Sequence, residues 1–353
     1  MKILFLINSL QTMSGASKVM KFIAKEMAEK GLDVCILPIF DKYTEEEIPN
    51  CNIIHLEIKA NIKGIWRIGA LKKIRNEIIK EKPDLVCCFV SDVCVMGRIS
   101  TLGLPVKLIS CDRGNPKSDG ILWSTISGWA YKNSDACVFQ LEEVKNFFEN
   151  KNIKKSYVIP NPFVKDDSKF VDFSLRKKSI VSSGRFTDQK GYDILIKAYN
   201  EVYKKHPDYN LIIYGDGPLR KSYEKQIKEL NLEEKIKLPG FIKNVSEVIK
   251  DASVFCLSSR YEGIPNSLIE ALSLGIPSVA TDCEPGGARF LLDNERRGIL
   301  VPIDDYIALA DGINYMIENS EDAKQFATTA IEVRNLFEPT KIAEKWFNIF
   351  KTV

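Results

Sequence analysis

Apolar positions along this chain fall into short, nearly continuous runs, separated by longer stretches in which they recur every three to four residues. Residues 3–8, 33–40, 85–90 and 107–110 are runs of the first kind and predict buried strands. Residues 18–30 show the helical period, and Gly31 stands where a helix of that length stops. Apolar runs alternating with amphipathic helices predict a parallel sheet covered on both faces, a doubly wound α/β architecture.

The same grammar returns further along, with strands at 179–183, 210–214, 236–238 and 254–257 and helices at 192–205, 219–230 and 245–250. Two Rossmann-like domains facing a cleft are therefore predicted, as expected of 353 residues, too many for one hydrophobic core. The stretch 161–179 is polar, charged and without period, and reads as the linker. The boundaries drawn are 1–169 for an N-terminal acceptor domain and 170–338 for a C-terminal nucleotide-sugar domain. Residues 339–353, with Trp346, Phe347 and Phe350, form a helix that either caps its own domain or crosses back to the first.

Composition adds mainly exclusions. Hydrophobic residues make up 45% and charged residues 27%, an ordinary globular balance. A net charge of +3 does not indicate a strongly basic nucleic-acid binder, so no nucleic acid is expected as a partner. No stretch reaches the roughly 18 to 20 apolar residues of a membrane span, and the opening MKILFLINSL lacks a small-residue cleavage site, so any contact with a membrane is expected from its surface. The nine cysteines form no C-x-x-C pair and sit within apolar runs, which fits free thiols packed as small hydrophobes in a reducing cytoplasm.

The chemistry concentrates in 258–280, SSRYEGIPNSLIEALSLGIPSVA. A loop follows the apolar run 252–257, and a helix is predicted to open at or near Pro265 and to end at Gly275. The first amides of that helix, Asn266, Ser267 and Leu268, would have no acceptor within it and would offer a phosphate site. Glu262 and Glu270 can each accept from two neighbouring hydroxyls, as on a ribose or a hexose. In isolation the E-x7-E spacing fits a capping acid and a solvated helix face equally well.

The whole segment, however, resembles the S-x-x-E-G-x-P-x-x-L-x-E-A-x-x-x-G-x-P signature of the retaining GT-B glycosyltransferases of family four, the group 1 glycosyl transferases, polysaccharide and glycolipid assembly members among them. Ser259, Glu262, Gly263, Pro265, Leu268, Glu270, Ala271, Gly275 and Pro277 meet its fixed positions. Residues 182–199 (SSGRFTDQKGYDILIKAY), 215–220 (GDGPLR) and the stretch PGGARFLLDNERRGILVP resemble three further segments of that family, in order. In GDGPLR, Arg220 stands where a dinucleotide fingerprint needs its third glycine, which argues against a nicotinamide cofactor.

The resemblance implies a donor that is a nucleotide-diphosphate sugar, expected to be UDP-linked. It implies Glu262 on the donor sugar, Glu270 on the ribose, and Arg185 with Lys190 on the diphosphate. Further donor contacts are implied along Gly263, Ile264, Pro265, Asn266, Ser267 and Leu268, and at Gly217. Near the amino terminus, NSLQTMSGASKVM matches the family's G-G-A-E-R loop only at Gly15 and Ala16, where Gly15 permits close backbone approach to a phosphate. Many relatives carry a histidine beside the donor sugar in an S-E-H segment. The matching piece here, 110–116, has Asp112 and Arg113 and resembles an S-E-R-N-[ND]-P variant, so these two are candidate acceptor or sugar contacts. His55 and His206 read as structural.

With no D-x-D motif and no clustered His or Cys ligands, metal-independent transfer without a cofactor is expected. The resemblance further implies retention of the anomeric configuration, the leaving phosphate taking the acceptor's proton. The stretch 61–83 is basic and amphipathic, with Lys72, Lys73 and Arg75 around Trp66 and Leu71, and reads either as a surface for an anionic membrane or as a solvated face over a core stripe. Trp123 and Trp129 read as acceptor surface or as core. The expected acceptor is a glycan or a polyprenyl-diphosphate-linked saccharide at the cytoplasmic face. A sugar-nucleotide epimerase of GT-B fold and a non-catalytic sugar-nucleotide binder are the two alternatives.

Overall fold

The computed structural model describes residues 1–11, 15–41, 47–56, 65–114, 120–149, 152–163 and 171–353, with the side chains of 65–68 and 121 left aside. The chain forms two compact units, Met1–Pro162 with Pro339–Val353, and Phe163–Glu338. The division lies a few residues before the boundary drawn from sequence. Part of the predicted linker, 164–170, lies outside the described residues, and its last three residues are ordered strand. Lys177 and Lys178 begin that strand with exposed side chains, which hides it from apolar patterning.

In the first unit a parallel seven-stranded sheet is built from β1 (Lys2–Ile7), β2 (Asp33–Pro38), β3 (Cys51–Ile53), β4 (Leu85–Phe89), β5 (Lys107–Cys111), β6 (Ala136–Phe139) and β7 (Ser156–Val158). Their order is β3-β2-β1-β4-β5-β6-β7. β4 is buried at every position, which is why strands here read as continuous apolar runs rather than alternating ones.

Helix Pro339–Thr352 belongs to this unit. Its buried residues Ile342, Ala343, Trp346, Ile349 and Phe350 recur at helical spacing and form one stripe. Trp346 stacks on Phe89 of β4 at 5.8 Å, and Phe350 meets Phe5 of β1 edge-on at 5.9 Å. The last residues of the chain therefore complete the core around the first strand.

The second unit holds β8 (Lys177–Ser183), β9 (Asn210–Tyr214), β10 (Ile236–Gly240), β11 (Ala252–Leu257), β12 (Ser278–Thr281) and β13 (Ile299–Val301), all parallel, in the order β10-β9-β8-β11-β12-β13. In both sheets the order runs outward one way from the first strand and then reverses. The reversal lies between β1 and β4 in one unit and between β8 and β11 in the other. Connections leave such a point in opposite directions, opening a crevice at the carboxyl ends of the strands.

All nine cysteines are free, and all but the half-buried Cys51 are buried. Burial pushes the thiols of Cys87, Cys88, Cys94 and Cys137 well above their ordinary pKa, so they pack as unreactive apolar groups. Replacing Trp346 with Ala should cost about 3–5 kcal/mol, as for other buried tryptophans. Urea unfolding checks this, and an unchanged midpoint would contradict the packing of the final helix against β4.

Candidate active site

β8 and β11 are paired in register, Ile180 with Val254 and Val181 with Phe255, so the loops that follow them emerge side by side. After β8 the chain passes Gly184 and Arg185 into a short 3-10 turn, Asp188–Lys190. After β11 it runs through 258–265 into helix Asn266–Ser273. Lys190 Nζ forms an ion pair with Glu262 Oε1 across these loops, the side chains only 16% and 11% exposed. Ser259, fully buried, donates its hydroxyl to the same Oε1 at 3.1 Å. Glu262 Oε2 has no protein donor among the described residues.

Two close approaches fix the loops. Ser258 donates its hydroxyl to the Lys190 carbonyl at 2.8 Å, and Gly191 follows with φ +60°. A Cβ at Gly191 would stand 2.1 Å from the Ser258 carbonyl oxygen, so only glycine fits. On the far side, a Cβ at Gly287 would stand 1.5 Å from the Gly263 carbonyl, so that loop lies flush against the start of helix Gly287–Leu292.

Arg185 is exposed at the end of β8, and its guanidinium has no protein partner among the described residues. The helix opens one residue later than a Pro265 at its first position would allow: Pro265 is the extended cap and Asn266 the first helical residue. The Leu268 amide donates to the Pro265 carbonyl at 3.0 Å, correcting the expectation that it is free. As the third residue of the helix, Leu268 bonds back three residues to the cap carbonyl, as in a 3-10 turn, which satisfies one of the end amides. Asn266 and Ser267 keep amides without a protein acceptor among the described residues, at the positive end of the helix dipole. Ser267 Oγ is sealed from solvent and also unpartnered. Ile264, Pro265 and Leu268 are buried, and Glu270 is half-buried just over one turn into the helix.

Gly217 has a packing reason of its own, since a Cβ there would stand 2.5 Å from the Phe186 carbonyl oxygen. Its amide donates to Asp216 at 2.7 Å, and Arg220 lies over the Phe186 ring at 5.2 Å, bonded to Asp216. Ser258, Arg260 and Asp193 also join the β8 and β11 loops, although no role was read for them from sequence. Their signal lay in neighbouring motif positions, SSRYEG and KGYD.

The first unit places its candidates differently. Gly15 and Ala16 are the half-buried first residues of helix Gly15–Glu29, next to residues outside the described set. Asp112 is buried, one oxygen accepting from the Gly114 amide and the other from the Tyr131 hydroxyl, both at 2.9 Å. Burial raises its carboxyl pKa against those hydrogen bonds. Arg113 donates to Asn161 at 2.8 Å, and its guanidinium lies over the rings of Phe89 and Trp346 at 5.5 and 5.7 Å. Asp112 is thus committed inside its own unit, whereas Arg113 Nε and Nη2 are buried without an acceptor among the described residues. Asn115 and Pro116 of that piece lie outside the described residues.

Of the basic stretch, 65–81 is helical, but Arg75 donates to the carbonyls of Ser100 and Leu102 at 3.0 and 2.7 Å and tethers the end of a neighbouring helix. Lys72 is exposed. Trp123 is half-buried and bonded to Ser91 at 3.2 Å, whereas Trp129 is 42% exposed.

Two Rossmann-like units of this strand order define a GT-B fold. The crystal structure of HepE from Anabaena, in complex with UDP and glucose, matches 100% of both chains with a TM-score of 0.82 at 18% identity. Residues 164–333 match the family model of glycosyl transferases group 1. The second unit belongs to that family, and the protein is a glycosyltransferase. The amylovoran biosynthesis glycosyltransferase AmsD of Erwinia amylovora is 25% identical over 99% of both chains. A Campylobacter jejuni N-acetylgalactosaminyltransferase acting on N-acetylgalactosamine-N,N'-diacetylbacillosaminyl-diphospho-undecaprenol is 35% identical over 49% of this chain and 46% of its own. This company is that of polysaccharide and glycolipid synthesis.

Replacing Lys190 with Met should leave the Glu262 carboxylate shielded and unpaired, lowering stability by up to about 3 kcal/mol. Adding Glu262→Gln should recover much of the loss. Equal midpoints for the wild type and the single variant in urea would show that the pair is not shielded.

Proposed function

We propose that the protein transfers a hexose or N-acetylhexosamine from a UDP-linked donor to a glycan or polyprenyl-diphosphate-linked saccharide, with retention and without a metal, in surface polysaccharide assembly. The observation that carries this reading is the pairing of opposite charges at the β8–β11 switch point, beside an arginine without a partner among the described residues and a helix N-terminus. An ammonium has three N–H donors, so Lys190 can stay on Glu262 and still donate to a diphosphate oxygen. Glu262 Oε2 accepts from a sugar hydroxyl, and Glu270 holds the ribose. Arg185, Lys190 and the amides of Asn266 and Ser267 supply the positive charge that a departing diphosphate needs, which makes a metal dispensable.

In the transfer step the bond from the anomeric carbon to the diphosphate oxygen breaks while the acceptor oxygen bonds to that carbon on the same face. The acceptor's proton passes to the leaving phosphate, so no protein base is required. Cationic and amide groups fixed before the reaction stabilise the charge as it develops, which is where such groups count most.

Turnover of UDP-sugars with a polyprenyl-linked saccharide, run in EDTA, tests this. Arg185→Ala and Glu262→Gln should each lower kcat about 100-fold or more, the scale for removing one group that stabilises developing charge. Glu270→Ala should mainly raise the donor KM. A product of inverted anomeric configuration, or activity lost in EDTA, would overturn the mechanism.

The lipid-linked acceptor implies work at the inner face of the membrane. Among the described residues no helix is long and apolar enough to cross one. The exposed basic residues of helix Ile65–Glu81 are the proposed contact. Sedimentation with anionic liposomes should fall when Lys72 and Lys80 are made Gln, and unchanged sedimentation would remove this contact. Arg75 is kept, because its substitution would also loosen the helix it tethers.

A further inference from the structure

Lys190 and Glu262 are flexible side chains on different loops, and an ammonium can meet a carboxylate from many directions. Their pairing alone does not fix where either group stands. Arg260, two residues before Glu262, is spread across the opposite loop. Its Nη1 and Nη2 donate to the two carboxylate oxygens of Asp193 at 3.1 and 2.8 Å. Nη1 also donates to the Asp188 carbonyl at 2.7 Å, and Nε to Asp304 at 2.8 Å.

Two bonds run alongside. The Arg260 amide donates to the Gln189 carbonyl at 2.8 Å, and the Gln189 side-chain amide donates to the Tyr261 carbonyl at 3.0 Å. Lys190 is therefore bracketed on both sides in sequence, by Asp188 and Gln189 before it and Asp193 after it, all gripped by residues 260 and 261. A guanidinium is a flat, rigid fork, and two parallel bonds to one carboxylate define an orientation as well as a distance. That is the property the Lys190–Glu262 pair lacks.

We infer that Arg260, clamped on Asp193, is a positioning residue of the transferase site, setting the spacing between the loop that bears Lys190 and the loop that bears Glu262. This rests on the roles proposed above for those two residues. Arg260 itself spends its donors on protein acceptors, so its effect on the reaction passes through Lys190 and Glu262.

Arg260→Lys keeps the charge and loses the fork, and Asp193→Asn keeps the shape and loses the charge. Each should lower kcat about 10- to 100-fold, the scale of a small misplacement of reacting groups, with little change in donor KM. Arg260→Lys should add little to the loss already caused by Lys190→Ala, because there is then no ammonium to misplace. Amide hydrogen exchange should quicken in 187–193 and 258–262. Wild-type kcat in Arg260→Lys, or fully multiplicative losses in the double variant, would overturn the inference. If the wild type transfers sugar from no nucleotide donor, the proposed function falls instead. The exchange measurement then decides the clamp by itself: faster exchange sustains it and unchanged exchange overturns it.

Discussion

Parallel strands send all their carboxyl ends to one edge of the sheet, and where their order reverses, the two connections must part. In the second unit that happens between β8 and β11. The reversal brings together residues 72 positions apart in sequence and leaves space between their loops. What then bridges the space is an ion pair largely shielded from water. Such a pair contributes little net stability, since desolvating two charges offsets most of their attraction. On the proposed function the pair serves chemistry instead, holding an ammonium and a carboxylate where a diphosphate and a sugar would lie.

The first unit obeys the same topological rule but uses its polar groups otherwise. At its own reversal, Asn8 after β1 donates to both oxygens of Asp92 beyond β4, at 3.1 and 3.0 Å. Asp41 accepts from the Ser9 hydroxyl at 2.5 Å and from the Leu10 amide at 2.6 Å. These contacts tie loops down. In the second unit a guanidinium and two helix amides at the corresponding place have no protein partner among the described residues. The same sheet order thus frames loops tied together by Asp41 and Asp92 in one unit, where Asn8 Oδ1 alone is left buried without a partner among those contacts, and loops bridged by Lys190 and Glu262 in the other.

The strand and loop around the β11 end of the second sheet were legible from sequence for a physical reason. Strands buried on both faces must be continuously apolar, and a loop that meets phosphate must combine glycine, a helix start and fixed cations in a short span. Both constraints write directly into residue types, as in 252–257 and 258–270. The short strands β6, β7, β12 and β13 were missed because three to four residues carry no usable period, whereas β3 overlaps the strand-like run NIIHLEI around His55, and β8 was begun late because its first lysines are exposed. The clamp at Arg260 was not legible either. Its partners Asp188, Asp193 and Asp304 come from separate segments, and only the fold shows that they share one guanidinium.

Arg113 shows the opposite limit. A cation at the position where related enzymes carry a histidine invites a functional reading from sequence. Here the side chain lies over two rings, one from β4 and one from the final helix, with its hydrogen bond given to Asn161. Asn161 also accepts from Gln140 at 2.7 Å, so the acceptor serves two donors within the core. Burial lowers the pKa of this guanidinium, with the neighbouring Asp112 among the groups that oppose the shift, and an arginine stays cationic throughout the physiological range. An arginine so placed joins the last helix of the chain to the sheet that its first strand began. Its Nη1 serves architecture, while its Nε and Nη2 stay buried without an acceptor among the described residues; Arg185 stands instead on an exposed turn with no partner among them.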